Sequence, residues 1–121
     1  MKLPKIFHIQ TSVFKSSEAV TAHRRQYNNG TLAVELKCAT PPWEPYAVVT
    51  VNLVNSPYGD GKYQDETHAY IDTNNCPWAP EFLEKTGLAK PDKRDIYGMS
   101  GYCTYPLYEF NLDAFNEGED D

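Results

Sequence analysis

Two stretches of the chain alternate apolar and polar positions with the period of two that a half-buried β-strand requires. In residues 31–38, Leu32, Val34 and Leu36 fall on one side, with Ala33, Glu35 and Lys37 on the other. Residues 46–53 are rich in β-branched side chains, and Ala47, Val49, Val51 and Leu53 alternate there against Tyr46, Val48, Thr50 and Asn52. The connection Pro41-Pro42-Trp43-Glu44-Pro45 makes the pair a hairpin with a stiff, proline-braced loop. A looser alternation over residues 6–13, Phe7 and Ile9 against His8 and Gln10, predicts a short first strand. Residues 67–72 predict a further strand, and residues 102–112 a last one. In that last strand Tyr108, Phe110 and Leu112 share one face and Tyr105, Leu107 and Glu109 the other, while Pro106 marks it as an edge or bulged strand.

The segments between these strands carry helix and turn signals. Residues 16–25 read either as a helical turn, capped by Ser16 or Ser17 ahead of Glu18, Ala19 and Ala22, or as a loop. Tyr27-Asn28-Asn29-Gly30 is a turn, because Asn and Gly tolerate positive φ. A short helix begins at Pro77 or Pro80 and runs to Thr86. It buries Phe82 and Leu83 with help from Trp78, and turns Glu81, Glu84 and Lys85 to solvent. Gly87 stands where a left-handed cap belongs, with Leu88 packing back on the last turn. Residues 55–65 and 90–101 read as exposed polar loops. The order β, β, β, β, α, β predicts an α+β fold, an antiparallel sheet of about five strands with one short helix before the last strand.

A chain of 121 residues, 40% hydrophobic, covers one core. The reading is therefore one domain over residues 1–121, with 1–26 as an N-terminal arm and 116–121 as an acidic tail. No apolar run approaches the roughly 20 residues that span a bilayer, and the first ten are too polar for a secretory signal. These features predict a soluble, cytoplasmic protein without a membrane partner.

Charge changes the picture further. The net charge of −6 conceals an asymmetry: residues 1–40 carry six Lys/Arg against two acids, and residues 41–121 carry five against fifteen. An acidic surface repels phosphates and gains nothing from counterion release, which excludes direct nucleic-acid binding through the later two-thirds. A basic protein is the partner this charge predicts.

Catalytic signals are sparse. Cys38, Cys76 and Cys103 are odd in number and contain no CxxC pair, so they read as reduced structural thiols rather than a disulfide framework or a zinc site. His8, His23 and His68 follow no metal-binding spacing. His68, Asp72 and Cys103 are the one arrangement that a fold would have to assemble into a Cys-His-Asp triad. Asp72, Thr73, Asn74 and Asn75 cap the helix or, alternatively, hold a cation or polar ligand. Gly59-Asp60-Gly61 has no phosphate-loop lysine and reads as a turn. Nine Tyr and two Trp either finish the core or supply a contact surface. The candidate binding residues are Trp43, Tyr58, Asp60, Asp65, Glu66, Asp72, Asn74, Asn75, Trp78, Tyr102 and Tyr105. No catalytic residue, metal ligand or cofactor is expected.

Three stretches carry a resemblance: Tyr27-Asn28-Asn29-Gly30-Thr31-Leu32-Ala33-Val34-Glu35-Leu36, Ala69-Tyr70-Ile71-Asp72-Thr73-Asn74-Asn75 and Ser100-Gly101-Tyr102-Cys103-Thr104-Tyr105-Pro106-Leu107-Tyr108-Glu109-Phe110. Over residues 27–112 the chain resembles an uncharacterised family of small bacterial proteins encoded largely on phages and mobile elements. That resemblance implies no reaction and no catalytic residues. It implies a non-enzymatic accessory protein, an inhibitor of a host defence or nucleic-acid-handling system of the anti-CRISPR or DNA-mimic kind, acting in the bacterial cytoplasm on a basic host protein. A small-ligand binding or sequestering protein is the second expectation, and an enzyme using Cys103 or Cys76 the third.

Overall fold

The computed structural model describes residues 5–11, 18–28, 30–53, 63–100 and 103–115. The expectations for Ser16, Ser17, Tyr58, Asp60, Tyr102, the turn at residues 59–61 and the acidic tail lie outside the described residues.

The fold is α+β, with two antiparallel sheets and one helix ahead of the last strands. The first sheet has the order β1-β2-β3-β4, from strands Phe7–Ile9, Glu18–Gln26, Leu32–Cys38 and Pro45–Val48. β2 corrects the reading of residues 16–25 as a helical turn or a loop, since residues 18–25 are strand. Ala22 faces Leu36 and His23 faces Glu35 along a seven-residue register with β3, so the partner strand decides a segment whose own preference is weak. The β2–β3 turn forms as expected, with Gly30 at φ 86° and its N–H bonded to the Tyr27 carbonyl at 2.8 Å.

The second sheet runs β5-β6-β9-β7, from Thr50–Val51, His68–Ile71, Cys103–Phe110 and Ala89–Pro91, with β8 (Tyr97–Ser100) also paired to β9. Residues 90–101, expected as a loop, therefore contain β8 and most of β7. These short strands exist because β9 offers them a long edge. Between them the chain bulges out, held by Asp92 N–H on the Leu107 carbonyl at 3.0 Å and Leu107 N–H on the Ile96 carbonyl at 2.9 Å. β9 is consequently central, which removes the edge alternative for the strand that Pro106 marked as edge or bulged. Pro106 is tolerated because its pair with Tyr97 of β8 is bonded through the neighbouring Leu107 N–H and Ile96 carbonyl, and the β6 register ends at Tyr70 opposite Leu107.

The continuous strand expected over residues 46–53 is broken at Val49. The Val49 N–H donates to the Val34 carbonyl at 3.1 Å, and its carbonyl accepts from Asp72 N–H at 2.8 Å. The break lets one run of chain serve both sheets, as β4 in the first and β5 in the second.

Helix α1, Ala79–Thr86, buries Ala79, Phe82 and Leu83 and ends at Gly87 with φ 78°. It packs with Val34 and Leu36 of the first sheet and Ala69, Ile71, Tyr108 and Phe110 of the second in one core. The alternate positions of β6 and β9, Tyr70, Tyr105 and Leu107, form a second cluster with Leu53. Strands β6 and β9 are thus apolar on both faces, and the face assignments of Tyr108 and Phe110 against Tyr105 and Leu107 hold. Asp72 to Asn75 do not cap α1, whose N-cap Trp78 makes no side-chain cap bond; Pro at the first turn removes an orphan donor instead.

Candidate functional site

Two polar constellations stand out on the second sheet. The first surrounds His68, at the start of β6. Its Nδ1 lies 2.9 Å from Asp65 Oδ1 and its Nε2 lies 3.2 Å from Asp92 Oδ2. Asp65 comes from the turn before β6, where its Oδ1 also accepts the backbone N–H groups of Thr67 and His68 at 2.9 and 2.8 Å. Asp92 comes from the bulge between β7 and β8. It accepts three hydrogen bonds from Arg94, from the backbone N–H at 2.8 Å, Nε at 2.9 Å and Nη2 at 3.0 Å. The Arg94 guanidinium in turn lies over the Tyr63 ring, 5.5 Å from its centroid.

Electrostatics follow this geometry. The Arg94 side-chain hydrogen bonds, with help from its backbone N–H and charge, pull the Asp92 carboxyl down to about 2 against the opposing effect of burial. Burial pushes Asp65 up, but the Thr67 N–H, the His68 ring and the His68 N–H together outweigh it, and the carboxyl ends below its ordinary value. A histidine acting as general base keeps one nitrogen for the reacting group. Here each nitrogen faces a carboxylate, so the arrangement acts as a clamp that ties the residue 65 turn, β6 and the β7–β8 bulge together. Among the described residues no group of three His, Cys, Asp or Glu side chains is arranged to hold a metal ion.

The second constellation is a groove of about 660 Å³ at the C-terminal end of α1. Its apolar part is Ala89, Phe110 and Leu112, and its charged part is Glu84, Glu109, Asp113 and Lys90. Leu112 and Asp113 come from a 3₁₀ turn, Leu112–Ala114, which follows β9 and is capped by Asn111 accepting the Asp113 N–H at 3.2 Å. Glu84 stands in the last turn of α1, where the helix dipole disfavours a carboxylate. The Tyr108 hydroxyl offsets this by donating to Glu84 Oε2 at 2.6 Å; burial, first, and that carboxylate, second, push the phenol well above its ordinary range. Lys85, the basic residue of the same turn, is directed elsewhere and donates to the Gln10 carbonyl at 3.0 Å. Lys90 Nζ reaches Glu109 only at 3.9 Å.

The residues singled out from sequence scatter around these features. Trp43 is 55% exposed in the β3–β4 loop, in a left-handed conformation with φ 57°. Asp65 belongs to the clamp, and Glu66 beside it is exposed. Asp72 is buried and serves a local turn, accepting the backbone N–H and side-chain amide of Asn75 at 3.1 and 2.9 Å. Asn74 and Asn75 are exposed. Trp78 and Tyr105, named as candidate binding residues, take the core alternative: Trp78 stacks edge-on against Phe82 with centroids 5.9 Å apart, and Tyr105 sits in the second cluster. The Cys-His-Asp triad does not assemble, since His68 turns to Asp65 and Asp92 while Asp72 is occupied by Asn75. Burial, together with the nearby Asp72 charge, pushes the Cys76 thiol up to about 11, away from thiolate chemistry. The groove residues were missed by motif reasoning. The signal that points to them is Glu84, an acid where helices favour a base.

Fold and site together define a small α+β domain in which two antiparallel sheets share one core with a single helix, with an acidic groove at that helix's end and a histidine–carboxylate clamp on the second sheet. The family described as "Domain of unknown function (DUF4313)" matches residues 21–121, and the chain belongs to it. This agrees with the resemblance to an uncharacterised family. No curated protein and no solved structure matches the chain. No helix among the described residues is long and apolar enough to cross a membrane.

Proposed function

We propose that the domain is a non-enzymatic accessory protein of a phage or mobile element that binds a basic host protein in the bacterial cytoplasm and inhibits a defence or nucleic-acid-handling system. The observation that carries this reading is the partition of charge across the fold. Residues 18–48, which build the first sheet from β2 onward, hold three acids and three Lys/Arg. Residues 63–115, which build α1 and most of the second sheet, hold nine acids against four. Carboxylates gathered on one half attract a basic surface, speed encounter and repel phosphates. The test is an affinity capture from host lysate at low and high salt, read by mass spectrometry. One basic partner that is lost as salt rises supports the proposal; capture indifferent to salt counts against it.

A second reading, small-ligand binding, is favoured by the groove, whose volume lies within the roughly 300–1,000 Å³ typical of small-molecule sites. Thermal shift against a metabolite panel tests it, since a ligand at 100 times its Kd adds about 2.7 kcal/mol.

A further inference from the structure

The groove at the end of α1 brings carboxylates and apolar side chains together. Its negative potential comes from three separate elements: Glu84 on the helix, Glu109 on β9 and Asp113 on the 3₁₀ turn. The helix adds the partial negative charge of its C-terminal carbonyls, equivalent to about half an elementary charge. Leu112, half-buried, supplies apolar surface beside the carboxylates, while Ala89 and Phe110 line the groove from the core and are almost fully buried. Lysine and arginine are the side chains that combine a methylene stem with a cationic head. Lys90 stands at the rim, mostly exposed and loosely paired with Glu109 at 3.9 Å, and Lys5 donates to the Asp113 carbonyl at 2.8 Å, so these two cations offset part of the charge of the three carboxylates.

Resting on the basic-partner reading, we infer that this groove is where the partner docks, and that the occupant is an arginine-bearing segment of that protein. The guanidinium lies among Glu84, Glu109 and Asp113, and the stem lies over Leu112. An arginine fits better than a lysine because its planar fork bonds two carboxylates at once. Lys90 competes with the incoming charge for Glu109.

The experiment titrates the ¹⁵N-labelled full chain with a capped hexapeptide of alternating leucine and arginine. Its controls are the same peptide with citrulline, the uncharged isostere of arginine, and arginine methyl ester alone. The arginine peptide is expected to move amide signals of residues 84–90 and 109–113. Glu109→Gln with Asp113→Asn should weaken it at least about fivefold, a loss of about 1 kcal/mol. Lys90→Gln should strengthen it, and citrulline should abolish it. Glu84→Gln keeps an acceptor for Tyr108 and should weaken binding without lowering the melting temperature. Equal binding of the citrulline peptide overturns the inference, as does arginine methyl ester giving the same shifts at the same affinity, which would make the occupant a small molecule. Shifts confined to other parts of the carboxylate-rich half overturn the groove while leaving the basic-partner reading standing. No binding of the arginine peptide, together with salt-indifferent capture, overturns both.

Discussion

Gly98, in the middle of β8, is the position at which the smallest possible side chain meets the least room. A Cβ built there lies 2.5 Å from Leu53 Cδ1 and 2.9 and 3.0 Å from Tyr70 Cε1 and Cζ. Carbon atoms sit comfortably at about 3.5–4.0 Å, so the methyl of Gly98→Ala overlaps Leu53 by about 1 Å. Tyr70 cannot yield, being fully buried on a strand paired on both sides. Leu53 must therefore rotate or the β8 backbone must lift. Overpacking of this kind costs about 1–3 kcal/mol, whereas the reduced freedom of the unfolded chain returns about 0.4–1 kcal/mol. The steric effect wins, and Gly98→Ala should destabilise by about 1–2 kcal/mol, a fall in Tm of roughly 4–8 °C for a domain of this size. Urea denaturation measures it directly. Leu53→Ala supplies the control: it creates space at the point of overlap, so the double variant should be more stable than the sum of the two single effects allows, by about 1 kcal/mol. A neutral Gly98→Ala, or strict additivity with Leu53→Ala, would refute the packing argument.

Three further outcomes follow from the geometry. Asp92 is held at about 2 in the folded protein against about 3.9 in an unfolded chain, so its contribution to stability is complete above pH 4 and is lost as pH falls towards 2. The urea midpoint should decline over that window, and Asp92→Asn should make the decline shallower; an unchanged slope would exclude the clamp as its source. At Gly87 an added Cβ meets nothing within 4 Å, so any cost is backbone strain from φ 78°. Gly87→Val should lose about 1 kcal/mol or more and Gly87→Asn clearly less, by thermal melting, and equal losses would show that strain is not the cause. Cys76, with its thiol pushed up to about 11, should resist iodoacetamide at pH 7.5 in the folded protein and react once unfolded, as peptide mapping would report. Rapid labelling of the native state would contradict that burial.

Much of the architecture was legible where a strand keeps one face dry. Leu32, Val34 and Leu36 declare β3 by alternation, and Gly87 declares the end of α1 by the conformation only glycine adopts easily. β2 was not legible, because Glu18 to Gln26 mixes alanines with charged residues and becomes extended through its pairing with β1 and β3. On its outer side Thr21 and His23 are buried, Thr21 Oγ1 and His23 Nε2 being 2.7 Å apart, so even the polar positions do not mark a solvent face. β7 and β8 are too short and too rich in Gly and Pro to announce themselves, and are strands only because β9 lies alongside. The clamp was hidden for a different reason. Asp65 was singled out for its loop and His68 for its strand, but Asp92 and Arg94 are more than twenty residues further on and reach them only through sheet topology.

The break at Val49 has a consequence for how the molecule comes apart. One residue donates to β3 and accepts from the end of β6, so neither sheet has a boundary of its own at which to peel from the other. Core side chains from both sheets close over the same junction. The two sheets are therefore one cooperative unit, and the Val49 amide should exchange its hydrogen only when the whole domain opens, at the slow limit set by global unfolding.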